Sequence, residues 1–158
     1  MKKIEILFIV LCFSLFCAGS CLAAGSVTGT LTRPYENERI LELVWVGAAS
    51  GGTVSAYTVD TTITNELQPF YIFMVCTVPG TPPPTDLYGI TLVDKDSIDM
   101  MGGVLSGRSR TLTQCVVPII DSSTSTKGGR PMNGAMTVNI TSTTDNSATG
   151  TIRIFLFK

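Results

Sequence analysis

The sequence predicts an all-β fold, a single antiparallel β-sandwich of the jelly-roll or immunoglobulin-like kind. Beyond residue 24 the chain is rich in Thr, Val, Ile and Gly, a composition that favours pleated sheet over helix. No stretch of about 12 residues in that part carries the apolar stripe of an amphipathic helix. Short β-type runs instead alternate with turn residues and give about eight or nine strands, the spacing typical of a sandwich.

The first residues have the layout of a secretory signal peptide. Lys2 and Lys3 supply a positive start, residues 4–17 form an almost unbroken apolar run, and small residues follow at 20–25. The apolar run is about 14 residues long, whereas a helix that spans a bilayer needs about 20. The leader therefore indicates export and cleavage rather than a membrane anchor.

We expect a signal peptide at residues 1–24 and one β-sandwich domain at 25–158, placed in the periplasm or at the surface of a bacterial cell. We predict that the leader is cleaved after Ala23 or Ala24. A retained anchor is one alternative, and lipidation of Cys21, which follows Gly19 and Ser20, is another. No later segment is predicted to cross a membrane as a helix.

The charge of the mature part argues against nucleic acid as a partner. The whole chain has 11 basic and 12 acidic side chains, and the leader holds Lys2, Lys3 and Glu5. The net charge of the remaining part is about −2. The sequence therefore lacks the excess of positive charge that favours binding to nucleic acid or anionic lipid.

Two cysteines, Cys76 and Cys115, remain in the mature part. In an oxidising compartment they are candidates for one disulfide, which would close a loop of about 40 residues and stabilise the fold by roughly 3–4 kcal/mol. Two buried free thiols on separate strands are the alternative, since pairing cannot be read from sequence.

The strand-like runs follow one another along the chain with turn residues between them. They span residues 26–32, 40–46, 53–59, 68–78, 88–93, 112–120, 135–141 and 148–157.

Two pairs of these runs resemble hairpins: 40–46 with 53–59, and 135–141 with 148–157 at the end of the chain. The run 68–78 is apolar on both faces, which predicts an interior strand covered on both sides. In the last strand Ile152, Ile154 and Leu156 are expected to face one way, and Thr151, Arg153, Phe155 and Phe157 the other.

The chain has no histidine. This removes Ser-His and Cys-His nucleophiles, an imidazole base and the commonest transition-metal ligand. Two distant cysteines do not make a zinc site. We expect no enzyme activity, no cofactor and no catalytic residues.

The segment 94–99 is the best candidate for a cation site, because Asp94, Asp96 and Asp99 are hard oxygen ligands suited to calcium. The spacing does not follow a helix-loop-helix calcium loop, which has Gly at the sixth position and Glu at the twelfth. The alternative is an acidic corner whose carboxylates cap backbone amides.

Arg108 and Arg110 follow a bend in a Ser- and Gly-rich setting. They are candidates for contact with an acidic partner surface or an anion. The alternative is a pair of solvated side chains.

Residues 84–103 (PTDLYGITLVDKDSIDMMGG), together with Arg108-Ser109 and the closing run 148–154, carry a resemblance to a known class. This part of the chain, about residues 70–158, resembles small β-rich proteins encoded among phage and prophage virion genes. The resemblance implies a β-sandwich that self-associates or sits on a larger particle, with no catalytic residues. Virion proteins rarely carry a secretory leader, so two origins stay open: a phage-type module recruited for export, or shared sandwich patterning.

Taken together, the sequence predicts an exported non-enzymatic structural or interaction protein that forms homo-oligomers or binds a protein partner. The alternating terminal strand is a candidate for edge-to-edge pairing. A pilin-like filament subunit and a calcium- or small-ligand-binding module are the alternative functions.

Overall fold

The computed structural model describes residues 24–158, so the predicted leader and Cys21 lie outside the described part. Within that part the fold is all-β, as predicted, with eleven strands and one short helix. The strands are β1 (Ser26–Tyr35), β2 (Glu38–Val46), β3 (Tyr57–Thr58), β4 (Tyr71–Pro79), β5 (Gly89–Val93), β6 (Gln114–Val116), β7 (Ile119–Asp121), β8 (Thr126–Lys127), β9 (Arg130–Pro131), β10 (Thr137–Thr141) and β11 (Thr149–Phe157), and the helix is α1 (Thr61–Leu67).

The larger sheet has the order β1-β2-β11-β4-β6, with β9 also paired to β4. All of its ladders are antiparallel. β1 and β2 form a hairpin across Glu36-Asn37, and β11 runs between β2 and β4 over its whole length. β1 alternates Val27, Gly29 and Leu31 on the inner side with threonines on the outer side, the period-2 pattern of a half-covered strand.

The smaller sheet has the order β3-β10-β5, and β7 and β8 form a separate two-stranded ribbon. One continuous core fills the space between the larger and the smaller sheet. Its members from the larger sheet include Leu43, Trp45 and Ile154, and those from the smaller sheet include Leu92 and Val138. Two antiparallel sheets around one core make a β-sandwich, which confirms the predicted fold class.

Both predicted hairpins are wrong. β2 and β3 lie in different sheets, and so do β10 and β11. The chain leaves β2 at Gly47, whose N–H donates to the carbonyl of Ala148 at 2.7 Å, and crosses to the smaller sheet. Alternation of apolar residues shows that a strand has one buried face, but it does not show which sheet the strand joins.

Two further expectations are corrected. β4 is an interior strand, as predicted, and its middle residues Val75, Cys76 and Thr77 are buried on both faces. Its first residues are covered on the inner face alone, since Tyr71 is 51% exposed and Phe73 50%. β11 has hydrogen-bonded neighbours on both sides, so it offers no edge for pairing. The free edge of the larger sheet at this end belongs to β1.

The short helix was not predicted. Asp60 caps α1, and its carboxylate accepts a hydrogen bond from the N–H of Thr62 at 2.7 Å. That bond lowers the pKa of Asp60. Leu67 is buried at the other end of the helix, which spans only seven residues. Such a length is too short to produce a clear helical stripe in the sequence.

Candidate interaction surface

The side of the larger sheet that faces away from the core is called the outer face here. Because neighbours across a ladder point the same way, the strand register assigns its members. They are Ser26, Thr28, Thr30 and Thr32 on β1, Ile40, Glu42, Val44 and Val46 on β2, Thr149, Thr151, Arg153, Phe155 and Phe157 on β11, and Tyr71, Met74, Cys76 and Val78 on β4, with Tyr35 and Glu38 at the rim. Phe73 has no ladder partner because it lies at the bulge in β4, and its ring contacts that of Phe157 on this face.

Exposed apolar side chains are concentrated on the outer face. Of the ten large hydrophobic side chains that are exposed in the described part, six lie on it or at its rim: Tyr35, Val44, Val46, Tyr71, Phe73 and Phe157. The rings of Phe73 and Phe157 meet edge to face, with centroids 5.5 Å apart. The register places Val44 and Val46 on one side of the row that holds Glu42 and Arg153, and the exposed aromatic side chains on the other. Exposed apolar groups are often found at interaction sites on soluble proteins.

The smaller sheet shows the opposite character on its outward side. There the hydroxyl oxygens of Thr58 and Thr137 lie 3.0 Å apart, and the Asn139 amide donates to the hydroxyl of Thr91 at 3.4 Å. Thr141 continues this polar row. The sandwich therefore has one polar side and one side on which large apolar side chains are exposed among threonines.

An ion pair lies at the centre of the outer face. The guanidinium Nε of Arg153 donates to Oε2 of Glu42 at 2.7 Å. Each residue is the fifth of nine in its strand, and the two are direct partners in the β2–β11 ladder. Their side chains are 37% (Glu42) and 49% (Arg153) exposed, so the pair is open to a partner.

An open depression of about 340 Å³ adjoins this pair. It is lined by Thr30, Thr32, Ile40, Glu42, Arg153 and Phe155. The lining combines the apolar side chains of Ile40 and Phe155 with hydroxyl and charged groups, a composition that suits a protein side chain.

A second charged group fixes the far end of the β1–β2 hairpin. Glu66 on α1 accepts hydrogen bonds from Arg33 and, at 2.8 Å, from Arg39. The Arg33 hydrogen bond is the main cause that lowers the pKa of Glu66, and it also raises the pKa of Arg33. The guanidinium of Arg39 lies 4.7 Å from the ring centroid of Phe70.

The three predicted cation ligands do not converge. Asp94 Oδ1 accepts from the N–H groups of Asp96 and Ile98 at 2.9 and 3.0 Å. Asp99 turns to the next loop, where it accepts from the N–H of Met101 at 3.0 Å and of Gly103 at 2.6 Å. In residues 24–158 no group of three His, Cys, Asp or Glu side chains is arranged to hold a metal ion. The carboxylates of Asp94 and Asp99 cap backbone amides, which was the alternative expectation for this segment.

Asn133 ties two of these carboxylates together. Its amide donates to Asp94 at 3.2 Å and to Asp96 at 2.9 Å, and Asp96 also pairs with Lys95 at 2.8 Å. The pKa of Asp96 is lowered first by Lys95 and then by Asn133. Burial acts to raise the pKa of Asp94, but the hydrogen bonds it accepts outweigh burial and lower it.

Arg108 was predicted to contact a partner at the surface, but in the structure it is buried. The residue is only 7% exposed, its backbone N–H donates to the carbonyl of Tyr88 at 2.8 Å, and burial lowers the pKa of its guanidinium. Its Nε and Nη1 atoms have no acceptor in the described part of the chain. Arg110 is exposed, and its N–H donates to Asp86 at 3.1 Å. The two arginines therefore do not form a common surface.

Cys76 on β4 and Cys115 on β6 are direct ladder partners with Cα atoms 4.0 Å apart, and a disulfide joins them. Cys76 is also the ladder partner of Arg153, so the disulfide belongs to the same row as the central ion pair. It ties the short strand β6 to the sheet.

Sequence reasoning identified Arg153, Phe155 and Phe157 as one face of the last strand, which is correct. It missed Glu42, because the position opposite Arg153 depends on the β2–β11 register.

Within residues 24–158, no helix is both long and apolar enough to span a bilayer.

No protein-family model and no curated protein sequence matches the chain. Two solved structures show a likeness. One is a cupin domain from Bordetella pertussis Tohama I, 12% identical, with 87% of this chain and 99% of that chain covered and a TM-score of 0.35. The other is the acid-stable capsid of Helicobacter pylori bacteriophage KHP30, 7% identical, with 87% and 90% covered and a TM-score of 0.30. Both TM-scores are low, so the fold assignment rests on the sheets of this chain.

Proposed function

We propose that this protein is an exported, non-catalytic structural subunit that self-associates through its outer face. The observation that carries the proposal is the contrast between the two sides of the sandwich. The side of Thr137 and Asn139 is polar, whereas the side of Val44, Phe73 and Phe157 exposes apolar side chains. Covering that surface releases water and favours association.

The size of the outer face suits a protein partner. Four strands of nine or ten residues give a flat area of about 30 by 20 Å, or roughly 600 Å². Protruding side chains increase the accessible area beyond this value. A standard protein interface buries about 800 Å² on each partner. A small ligand would occupy only the depression beside Ile40 and Phe155.

The charge of the outer face favours a second copy over an acidic or basic partner. Glu42 and Arg153 cancel each other at its centre, and the threonines of β1 are uncharged. A surface that is neutral and carries both signs side by side has no bias toward a partner of one sign.

Export is supported by the leader pattern at the start of the sequence and by the Cys76–Cys115 disulfide, which is stable in oxidising compartments. The finer hypothesis, kinship with phage virion proteins, is part of this proposal. Capsid and tail genes beside the coding sequence would support it, and their absence would count against it.

The test is the mass of the purified chain, expressed from its full sequence, by size-exclusion chromatography with light scattering. We expect a defined assembly that Val44→Lys dissociates, because a charge on the outer face opposes its burial. Thr141→Lys, on the polar side of the sandwich, is the matched control and should leave the assembly intact. A wild-type chain that stays monomeric at its highest soluble concentration would overturn the proposal.

A further inference from the structure

We infer that two copies pack their outer faces about a two-fold axis that runs parallel to β2 and β11 and between them, so that Glu42 of each copy meets Arg153 of the other. This inference rests on the proposed self-association and adds the symmetry and the contact that sets the register.

The ion pair lies close to the middle of the outer face, where a two-fold axis could pass. Glu42 and Arg153 occupy the midpoints of two adjacent nine-residue strands, and these strands are the second and third of the five in the main path of the sheet. Four cross-strand rows of the outer face contain Ile40, Glu42, Val44 and Val46 of β2. Within these rows the charged residues are Glu42 and Arg153, and Glu38 lies at the rim.

A two-fold interface brings the same patch of both copies together, so the patch must be complementary to itself. A two-fold axis through the centre of the sheet is either perpendicular to the sheet or lies in the interface, where its direction sets the angle between the strands of the two copies. An axis perpendicular to the sheet places the copies in one plane and leaves the outer faces uncovered. An axis in the interface but across the strands sets Glu42 opposite Glu42 and Arg153 opposite Arg153, which is repulsive.

An oblique axis crosses the strands and moves Glu42 away from Arg153 of the second copy. The other direction that keeps the strands of the two copies aligned is parallel to them. When the axis passes between β2 and β11, every β2 residue faces the β11 residue that is its own ladder partner, now on the other copy. Glu42 then faces Arg153 of the second copy. Ile40 faces Phe155 of the second copy, so the two depressions meet across the axis. The strands of the two sheets run in nearly the same direction, which is the usual aligned packing of sheets.

The charges and the apolar residues have different roles in this arrangement. Burial of Phe155, Phe157 and their neighbours provides the affinity. The four charges around the axis favour the register in which each carboxylate faces a guanidinium, since a register that sets like charges opposite each other is repulsive.

The decisive variant is the double exchange Glu42→Arg with Arg153→Glu on one chain. It keeps an opposite-charge pair within the sheet, so the fold is retained and the variant should form its own dimer. Mixed with the wild type, however, it sets two carboxylates against each other at one contact and two guanidinium groups at the other. We expect mixed dimers to be at least about tenfold less abundant than random exchange predicts, measured by native mass spectrometry after unfolding and refolding a mixture with isotope-labelled wild type.

The single variants give the converse result. Glu42→Arg and Arg153→Glu should each be monomeric alone, because each repels itself, and should form a one-to-one dimer when mixed. Their melting temperatures report whether the like-charge ladder pair has disturbed the sheet. Thr141→Arg and Thr141→Glu on the polar side are the matched controls, with no effect on assembly.

The outcomes separate this inference from the proposed function. If the wild type is assembled and the double-exchange variant mixes freely with it, the inference is wrong and self-association stands. If the wild type is monomeric, both are wrong. Exclusive sorting of the two chains together with pairing of the single variants supports both.

Discussion

The indole of Trp45 packs directly onto the backbone of Gly150, its ladder partner on β11. A Cβ atom at position 150 would lie 2.7 Å from each of three indole atoms. Trp45 is fully buried, and its ring centroid is 5.9 Å from that of Tyr88 across the core. The missing side chain of Gly150 thus makes room for the largest residue of the core.

We predict that Gly150→Ala destabilises the protein by about 1–3 kcal/mol, because the added methyl group must displace a buried ring. In an unobstructed strand the same change would be neutral or stabilising, since it reduces the freedom of the unfolded chain. Gly129→Ala is the control, because a Cβ atom there meets the Cβ of Tyr71 at 3.4 Å, an ordinary contact. Equal unfolding midpoints in denaturant for both variants would contradict the prediction.

The Cys76–Cys115 disulfide closes a loop with a sequence separation of 39. We predict that the double variant Cys76→Ala with Cys115→Ala loses roughly 3–4 kcal/mol of unfolding free energy, chiefly because the unfolded chain gains freedom. Reductant should destabilise the wild type and leave the double variant unchanged. Two thiols that react with an alkylating reagent in unreduced, unfolded wild type would show that the bond is not formed.

The side chain of Arg108 is buried beside Tyr88, and two of its donor atoms have no acceptor within the described residues. Burial lowers the pKa of Arg108 and raises that of Tyr88, so the interior disfavours both ionised forms. We predict that Arg108→Met is neutral or stabilising, since a buried charge is replaced by an apolar chain of similar length. Arg108→Ala should be about 2–5 kcal/mol less stable than Arg108→Met because of the cavity. Denaturant unfolding of the three proteins checks the order, and a Met variant as unstable as the Ala variant would contradict it.

What the sequence predicts well is local. In β11 the alternation places Ile152, Ile154 and Leu156 in the core, and the structure agrees. A period-2 pattern needs no knowledge of the rest of the chain, because successive side chains of any strand point to opposite faces.

What the sequence does not predict depends on contacts between distant segments. The register that joins Glu42 to Arg153 and Trp45 to Gly150 is set by the whole sheet, so neither pair is visible in a local pattern. The exposure of Phe73 also depends on distant segments, because they decide whether a face of β4 is covered. Apolar residues on both faces of β4 predict two covering layers, whereas the outer face at the start of the strand, with Tyr71 and Phe73, is exposed in the described chain. The burial of Arg108 contradicts the ordinary preference of arginine for the surface.

The ion pairs around Glu66 make stability depend on pH in acid. The Arg33 hydrogen bond lowers the pKa of Glu66 in the folded protein below its ordinary value of about 4.3. The stability it contributes is therefore complete above that value and is lost as the pH falls through the folded-state pKa. We predict that Glu66→Gln melts a few degrees below the wild type at neutral pH and that the two converge in acid. A constant difference in melting temperature from neutral pH to strong acid would contradict this cause.

Asp99 holds the loop after β5 by accepting hydrogen bonds from Met101 and Gly103. We predict that Asp99→Ala costs about 1.5–3 kcal/mol, since backbone donors lose a charged acceptor, and that Asp99→Asn recovers part of the loss through its remaining oxygen. Addition of millimolar calcium should not raise the melting temperature of the wild type, because these oxygens already serve the backbone. A calcium-dependent rise that Asp94→Asn abolishes would instead establish the cation site, and with it a second role for this corner of the sandwich.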